Sequence, residues 1–258
     1  MAGTDYIAVT ELPGDDVTTE QVERMCRRYY WAGDYCRDKD VLEVACGAGQ
    51  GVGYLASLAK SVKAGDYSAA ILGIARRHYG ERFEFQQFDA QQMPFPDQSI
   101  DVVLIFEAIY YIPDADKFFR ECKRVLRPGG TLLIATANKD LYDFNPSTQS
   151  YRYFGVRELT DILGAYGFRV EFFGDTPVAA VSLRQRMSRP VKAFTSRFGL
   201  IPKTKAGKKL LKRFVFGGLV SMPSEITAST SPYVLPAPLP KGQADGSHKV
   251  ILCAAHID

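Results

Sequence analysis

A chain of 258 residues with 46% hydrophobic and 24% charged side chains can bury a sizeable core and has the balance of a globular protein. Its longest near-apolar run, residues 102–112, contains Glu107 and is too short to span a bilayer. The first eleven residues carry Asp5 and Glu11 and lack the basic and apolar regions of a secretory leader. Five scattered cysteines with no Cys-x-x-Cys pair read as reduced thiols, so a cytoplasmic location is expected. The net charge of +3 hides an asymmetry. Residues 184–213 hold eleven Lys or Arg and no acid, which leaves 21 basic against 29 acidic residues elsewhere.

Residues 1–16 read as an irregular lead-in ending in the turn Pro13-Gly14-Asp15-Asp16. Thr18 or Thr19 caps a helix in which Val22, Met25, Cys26, Tyr29 and Tyr30 share an apolar face. A strand at 41–45 leads through a glycine-rich turn into a helix over 49–60. A strand at 61–65 ends at Asp66, and a helix over 68–78 follows. Further strands are expected at 83–88 and 101–106. A helix from 114 or 115 to 126 is stopped by Arg127-Pro128-Gly129-Gly130 before a strand at 131–136. A loop rich in Asn, Tyr and Phe (138–153) precedes a helix over 156–166 and a strand at 168–173. A basic helical region (183–216), a Pro/Ser-rich stretch (221–246) and a strand at 249–255 complete the chain. Apolar strands alternating with helices predict an α/β fold with a mostly parallel sheet covered on both faces.

The turn Glu43-Val-Ala-Cys-Gly-Ala-Gly-Gln-Gly51 carries the strongest chemical signal. Small residues let the backbone approach a ligand closely, and a helix starting behind them would aim N–H groups at it. The spacing is not that of a dinucleotide fingerprint. From Gly47, the position that needs Gly or Ala is Val52, and Gly51-Val-Gly53-Tyr-Leu-Ala56 lies too late, inside the expected helix. Asp66, at the end of the second strand, is placed to accept hydrogen bonds from two ribose hydroxyls.

Glu43 with its small-x-Gly-x-Gly turn and Asp66 resemble the class I S-adenosylmethionine-dependent methyltransferases, of the small-molecule kind with a methyltransferase-11-like domain. Three further stretches are similar to that family: Phe88-Asp89-Ala90-Gln91, Phe106-Glu107-Ala108-Ile109-Tyr110-Tyr111-Ile112-Pro113-Asp114, and Arg124-Val-Leu-Arg-Pro-Gly-Gly130. The resemblance covers roughly residues 24–136. It implies a Rossmann-like, seven-stranded, mostly parallel sheet and S-adenosyl-L-methionine as cofactor. The implied cofactor contacts are Tyr29, Glu43, Ala45, Cys46, Gly47, Gly49, Asp66, Tyr67, Asp89, Ala90, Gln91, Phe106 and Glu107. Among them, Asp89 and the Ala90 N–H would meet the adenine, Cys46 would act through its backbone, and a hydroxyl of Tyr29 or Tyr30 would meet the cofactor's amino-acid end.

Two departures from the family stand out. Ala45 stands where Gly is usual, and Tyr110 and Tyr111 stand where members often carry His. The three histidines of this chain are His78, His248 and His256, all distant from that motif. The candidate catalytic groups are therefore Glu107, Tyr110 and Tyr111. No metal is expected, since no His/Asp/Glu cluster has ligand spacing.

The organisation implied is a cofactor-binding domain over 1–182 and 247–258, with 183–246 inserted as a basic helical lid. The implied reaction is O- or N-methylation of a small molecule, anionic or neutral, with a lean to a sugar or a nucleotide- or lipid-linked sugar. A nicotinamide oxidoreductase, an aminopropyl transferase and a non-catalytic cofactor-binding protein are the competing readings. Nucleic acid is not expected as a partner, because the basic run lacks a stacking platform of aromatic residues. A peripheral membrane contact through that run stays open.

Overall fold

A computed structural model describes residues 7, 10–178 and 218–258. The basic segment 184–213, with the whole helical region expected over 183–216, lies outside the described residues; of the lid expected over 183–246, only 218–246 is described. The main sheet is built from β2 (Asp40–Val44), β3 (Ser61–Asp66), β4 (Phe85–Gln87), β5 (Ile100–Phe106), β6 (Leu126–Ala137), β7 (Phe168–Pro177), β9 (Ala237–Leu239) and β10 (His248–Ile257). Its spatial order is β4-β3-β2-β5-β6-β10-β7-β9. Strands β4, β3, β2, β5 and β6 run parallel, while β10 is antiparallel to both β6 and β7. Helices α1 (Thr19–Cys36), α2 (Val52–Ala56), α3 (Ala69–Tyr79), α4 (Ala115–Val125) and α5 (Val156–Ala165) connect or cover the strands. Among the described residues, no helix is long and apolar enough to cross a membrane.

The central parallel strands β2 and β5 are largely apolar because both faces are covered, whereas the outer strands β3 and β4 carry exposed polar residues. Their period of two splits the core into halves. Leu42, Val44, Val103, Ile105, Leu132 and Ile134 pack with Phe118 and Phe119 of α4 and with Leu159 and Leu163 of α5. Val41, Val102, Leu104 and Leu133 point the other way, onto Met25, Tyr29 and Trp31 of α1. Glu43 shares a face with Val41, so alternation alone carries a carboxylate under α1. Helix α1 begins at a capping box: Thr18 Oγ1 accepts from Gln21 N (3.2 Å) while Gln21 Oε1 accepts from Thr18 N (3.0 Å).

Three expectations are corrected. The sheet has eight strands rather than seven, because β9 adds to β7 as an edge, and a separate ribbon pairs β1 (Asp16–Thr18) with β8 (Leu219–Ser221). The Pro/Ser-rich stretch thus supplies short strands whose partners lie far away in sequence. The helix expected over 49–60 is only Val52–Ala56. Left-handed Gly49 delays its start, and from Ser57 the backbone turns back toward β3. The strand expected over 83–88 pairs only through Phe85–Gln87. In β6, the Pro-Gly-Gly turn is absorbed as a bulge, where Leu126 faces Ile100 and Thr131 faces Val102.

Candidate functional site

From β2 the chain winds outward through β3 to β4, then returns to the other side of β2 with β5. Such a reversal opens a crevice at the carboxyl ends of the strands, the usual ligand position in open α/β sheets. Here the loops after β2, β3, β4 and β5, roofed by α1, enclose a cavity of about 530 Å³. That is within the range of small-molecule sites.

The glycine turn is shaped by three left-handed residues, Ala45 (φ +54°), Gly47 (+60°) and Gly49 (+77°). The first explains the family's preference for Gly at position 45, since a side chain in that conformation is strained. Gly47 N donates to Asp66 Oδ2 (3.0 Å) and Ser68 N to Asp66 Oδ1 (2.9 Å), so Asp66 ties the turn to the end of β3. Burial pushes the Asp66 carboxyl up, opposed by backbone N–H groups of Ser68, Gly47 and Tyr67. After β4, Asp89 Oδ1 accepts from Gln91 N (2.8 Å), and Gln91 Oε1 accepts from Asp114 N (3.0 Å). These bonds fix the loop that places Ala90 on the wall.

Glu107, just past β5, also has a positive φ of +52°. Its N–H donates to Ala135 O (2.7 Å), and its Oε2 accepts from Tyr110 Oη (3.0 Å). Burial, followed by the charge of Glu107, pushes the Tyr110 phenol well above its ordinary value. Tyr110 stacks on Tyr153 at 4.4 Å between centroids, and its carbonyl accepts from Tyr151 N (2.8 Å). Tyr151 is 59% exposed and lines the cavity, so it marks the mouth.

On the α1 side, Tyr29 Oη donates to Glu43 Oε1 (2.5 Å), while Glu43 Oε2 is buried without a hydrogen-bond partner. Burial raises the Glu43 carboxyl to about 7, against the opposing pull of the Tyr29 hydroxyl and the Arg28 charge. The Tyr29 ring rests on Gly51, where a Cβ would come within 2.0 Å of it.

Tyr29, Ala45, Cys46, Gly47, Asp66, Tyr67, Asp89, Ala90, Gln91, Phe106, Glu107, Tyr110 and Tyr111 all line this one cavity. Glu43 and Gly49 do not: Glu43 sits behind Tyr29, and the Gly49 carbonyl accepts from Tyr79 Oη (2.7 Å). Tyr30 turns away, donating to Thr227 O (2.6 Å). Sequence reasoning missed Arg24, Arg28, Gln50 and Tyr151. The arginines had a signal, since 24, 25, 28 and 29 form one helical face with the aromatic residue already singled out. Gln50 and Tyr151 sit in irregular backbone with no periodicity to read.

Residues 42–134 match the family described as a methyltransferase domain. The fatty-acid O-methyltransferase of Mycolicibacterium smegmatis is 44% identical over 105 residues, 38% of this chain and 37% of that protein. The ubiquinone/menaquinone biosynthesis C-methyltransferase UbiE of Hahella chejuensis is 33% identical over 141 residues, 44% of this chain and 57% of that protein. A SAM-dependent methyltransferase from Archaeoglobus fulgidus shares the fold, with a TM-score of 0.54 at 17% identity over 92% of this chain and 93% of that one. The chain spans about half the length of the curated relatives it matches. A buried carboxylate oxygen left without a partner behind the turn, an acid at the end of β3 and a close-packed glycine turn fit the donor that the family uses. Residues 42–134 are a methyltransferase domain, similar to those of the class I S-adenosylmethionine-dependent methyltransferases.

Proposed function

We propose that this chain methylates a hydroxyl of a small molecule, with Glu107 as the proton acceptor. The observation that carries this reading is Glu107 itself. A carboxylate held in a left-handed conformation at the carboxyl end of β5 faces the cavity beside an aromatic mouth. Such strain costs about 1–3 kcal/mol and persists where the surroundings enforce it, most often at functional sites.

S-adenosylmethionine, when bound, supplies an activated methyl group, so the protein's task is alignment and exclusion of water. Asp66 would take the ribose hydroxyls, Asp89 and the Ala90 N–H the adenine, and the turn around Gly47 the amino-acid end. Phe106, Met25 and Ile112 keep the wall apolar. Of the three candidate bases, Tyr110 holds its proton because it is buried and donates to a carboxylate. Burial also raises the Tyr111 phenol. Glu107 is left to accept the acceptor's proton, with Tyr110 positioning it.

By their names, one of the two relatives is a fatty-acid O-methyltransferase and the other a C-methyltransferase of ubiquinone/menaquinone biosynthesis, which favours a small-molecule acceptor and leaves the class broad. A sugar or a nucleotide- or lipid-linked sugar is the acceptor class to which the family resemblance leans, and the ring faces of Tyr111 and Tyr151 suit it. An acceptor screen with labelled methyl donor tests the proposal. Against the best acceptor, Glu107→Gln should lose about 10²–10⁴ in kcat, the usual weight of a positioned base, with the KM for the donor little changed. A variant turning over at the wild-type rate would overturn the role of Glu107. Transfer to no acceptor, with donor binding intact, would favour the non-catalytic reading.

A further inference from the structure

The cavity wall carries two basic side chains, Arg24 and Arg28, one turn apart on α1. Residues at this spacing hold their Cβ atoms about 6 Å apart on one face, near enough to converge on a single group. Both are half-buried, and the Nε of each is buried with no hydrogen-bond partner. Among the described residues, neither guanidinium has an ion-pair partner, although α1 also carries Arg27, which is paired with both Glu23 and Asp175. The contrast is local. The helix neutralises the arginine that points away from the cavity and leaves the two on the cavity unpaired.

The acids that share the wall are otherwise engaged. Glu11 takes Gln21, Asp66 the backbone of Gly47 and Ser68, Asp89 takes Gln91, and Glu107 takes Tyr110. An unpaired guanidinium pair in a half-buried wall is costly unless a ligand completes it, and planar arginine groups suit carboxylate and phosphate geometry. Arg28 lies close enough to Glu43 to favour its ionised form and sits over the Tyr29 ring at 5.8 Å. Arg24 stands one turn nearer the start of α1. Two guanidiniums on one wall are more than a single carboxylate flanked by its own ammonium would use.

Resting on the methyltransferase reading, we infer that Arg24 and Arg28 form an anion site for the methyl acceptor, which therefore carries a carboxylate or phosphate besides its reacting hydroxyl. Its apolar or aromatic body lies against Met25, Tyr111 and Tyr151.

The test uses the full chain saturated with S-adenosylhomocysteine, titrated calorimetrically with 4-hydroxybenzoate and with its neutral isostere 4-hydroxybenzamide. The acid should bind at least about tenfold tighter, or 1.4 kcal/mol. Arg24→Gln and Arg28→Gln should each erase that preference while holding the affinity for S-adenosylhomocysteine within about twofold, which also shows that they fold. Equal binding of acid and amide, or binding of neither at millimolar concentration, overturns the proposal. So does a large loss of S-adenosylhomocysteine affinity in the variants, which would assign the guanidiniums to the cofactor's own carboxylate. Failure of the wild-type chain to bind S-adenosylhomocysteine at all would instead sink the methyltransferase reading beneath it.

Discussion

At the scale of single residues, Glu43 is defined by what buries it. Strand alternation puts its carboxyl under α1, where Tyr29 satisfies one oxygen and leaves the other bare. The folded protein keeps this group protonated up to about 7, whereas an ordinary glutamate titrates near 4.5. Folding therefore takes up a proton between those values. Stability from this group falls as pH rises through that window, and the cost, about 3 kcal/mol at most, is complete above it. Glu43→Gln should accordingly raise the urea midpoint near pH 8 and leave it almost unchanged near pH 4.5. Equal effects at both pH values would contradict this. Ala45 offers a second residue-level test. Its left-handed backbone suits Gly, so Ala45→Gly should be neutral or stabilising by up to about 1 kcal/mol in the same assay. A clear destabilisation would mean that the methyl group packs usefully.

At the scale of elements, α1 does more than cover the sheet. Its aromatic face locks Tyr29 onto Gly51, and its next turn brings arginines to the cavity. Gly51→Ala would drive a methyl group into the Tyr29 ring. It should cost about 1–3 kcal/mol of stability, as overpacking does, and should weaken S-adenosylhomocysteine binding because Tyr29 lines the pocket. Unchanged stability would show that the ring can move away freely. Thr18→Ala removes the capping box and should cost about 1 kcal/mol.

The α1 face was legible in the sequence as an apolar stripe, and so was the capping threonine. The arginines share the helical face of Met25 and Tyr29, but a charge on an amphipathic helix reads as solvated until tertiary packing shows what it faces. Helix α2 was overestimated for a related reason: the pattern continues through 57–60, but the backbone must turn back to start β3. The short strands β8 and β9 were invisible, since three residues have no period and are strands only through distant partners.

At the scale of the whole molecule, the central parallel strands were readable from apolar runs, and the switch between β3–β4 and β5–β6 places the site at their carboxyl ends. Half of the cavity wall was named from motifs at strand ends, which that topology brings together. What the topology does not encode is the acceptor, whose surroundings come from α1, the loop around Tyr151 and segments with no periodic signature. The central claim is that the crevice between β2 and β5 takes S-adenosylmethionine, with Asp66 holding its ribose. Calorimetric titration of the purified chain with S-adenosylhomocysteine tests it directly. Saturable binding is predicted, weakened by about 1.5–3 kcal/mol in Asp66→Ala, the range for a hydrogen bond to a charged group. No binding at millimolar ligand, or an affinity indifferent to Asp66, would contradict it.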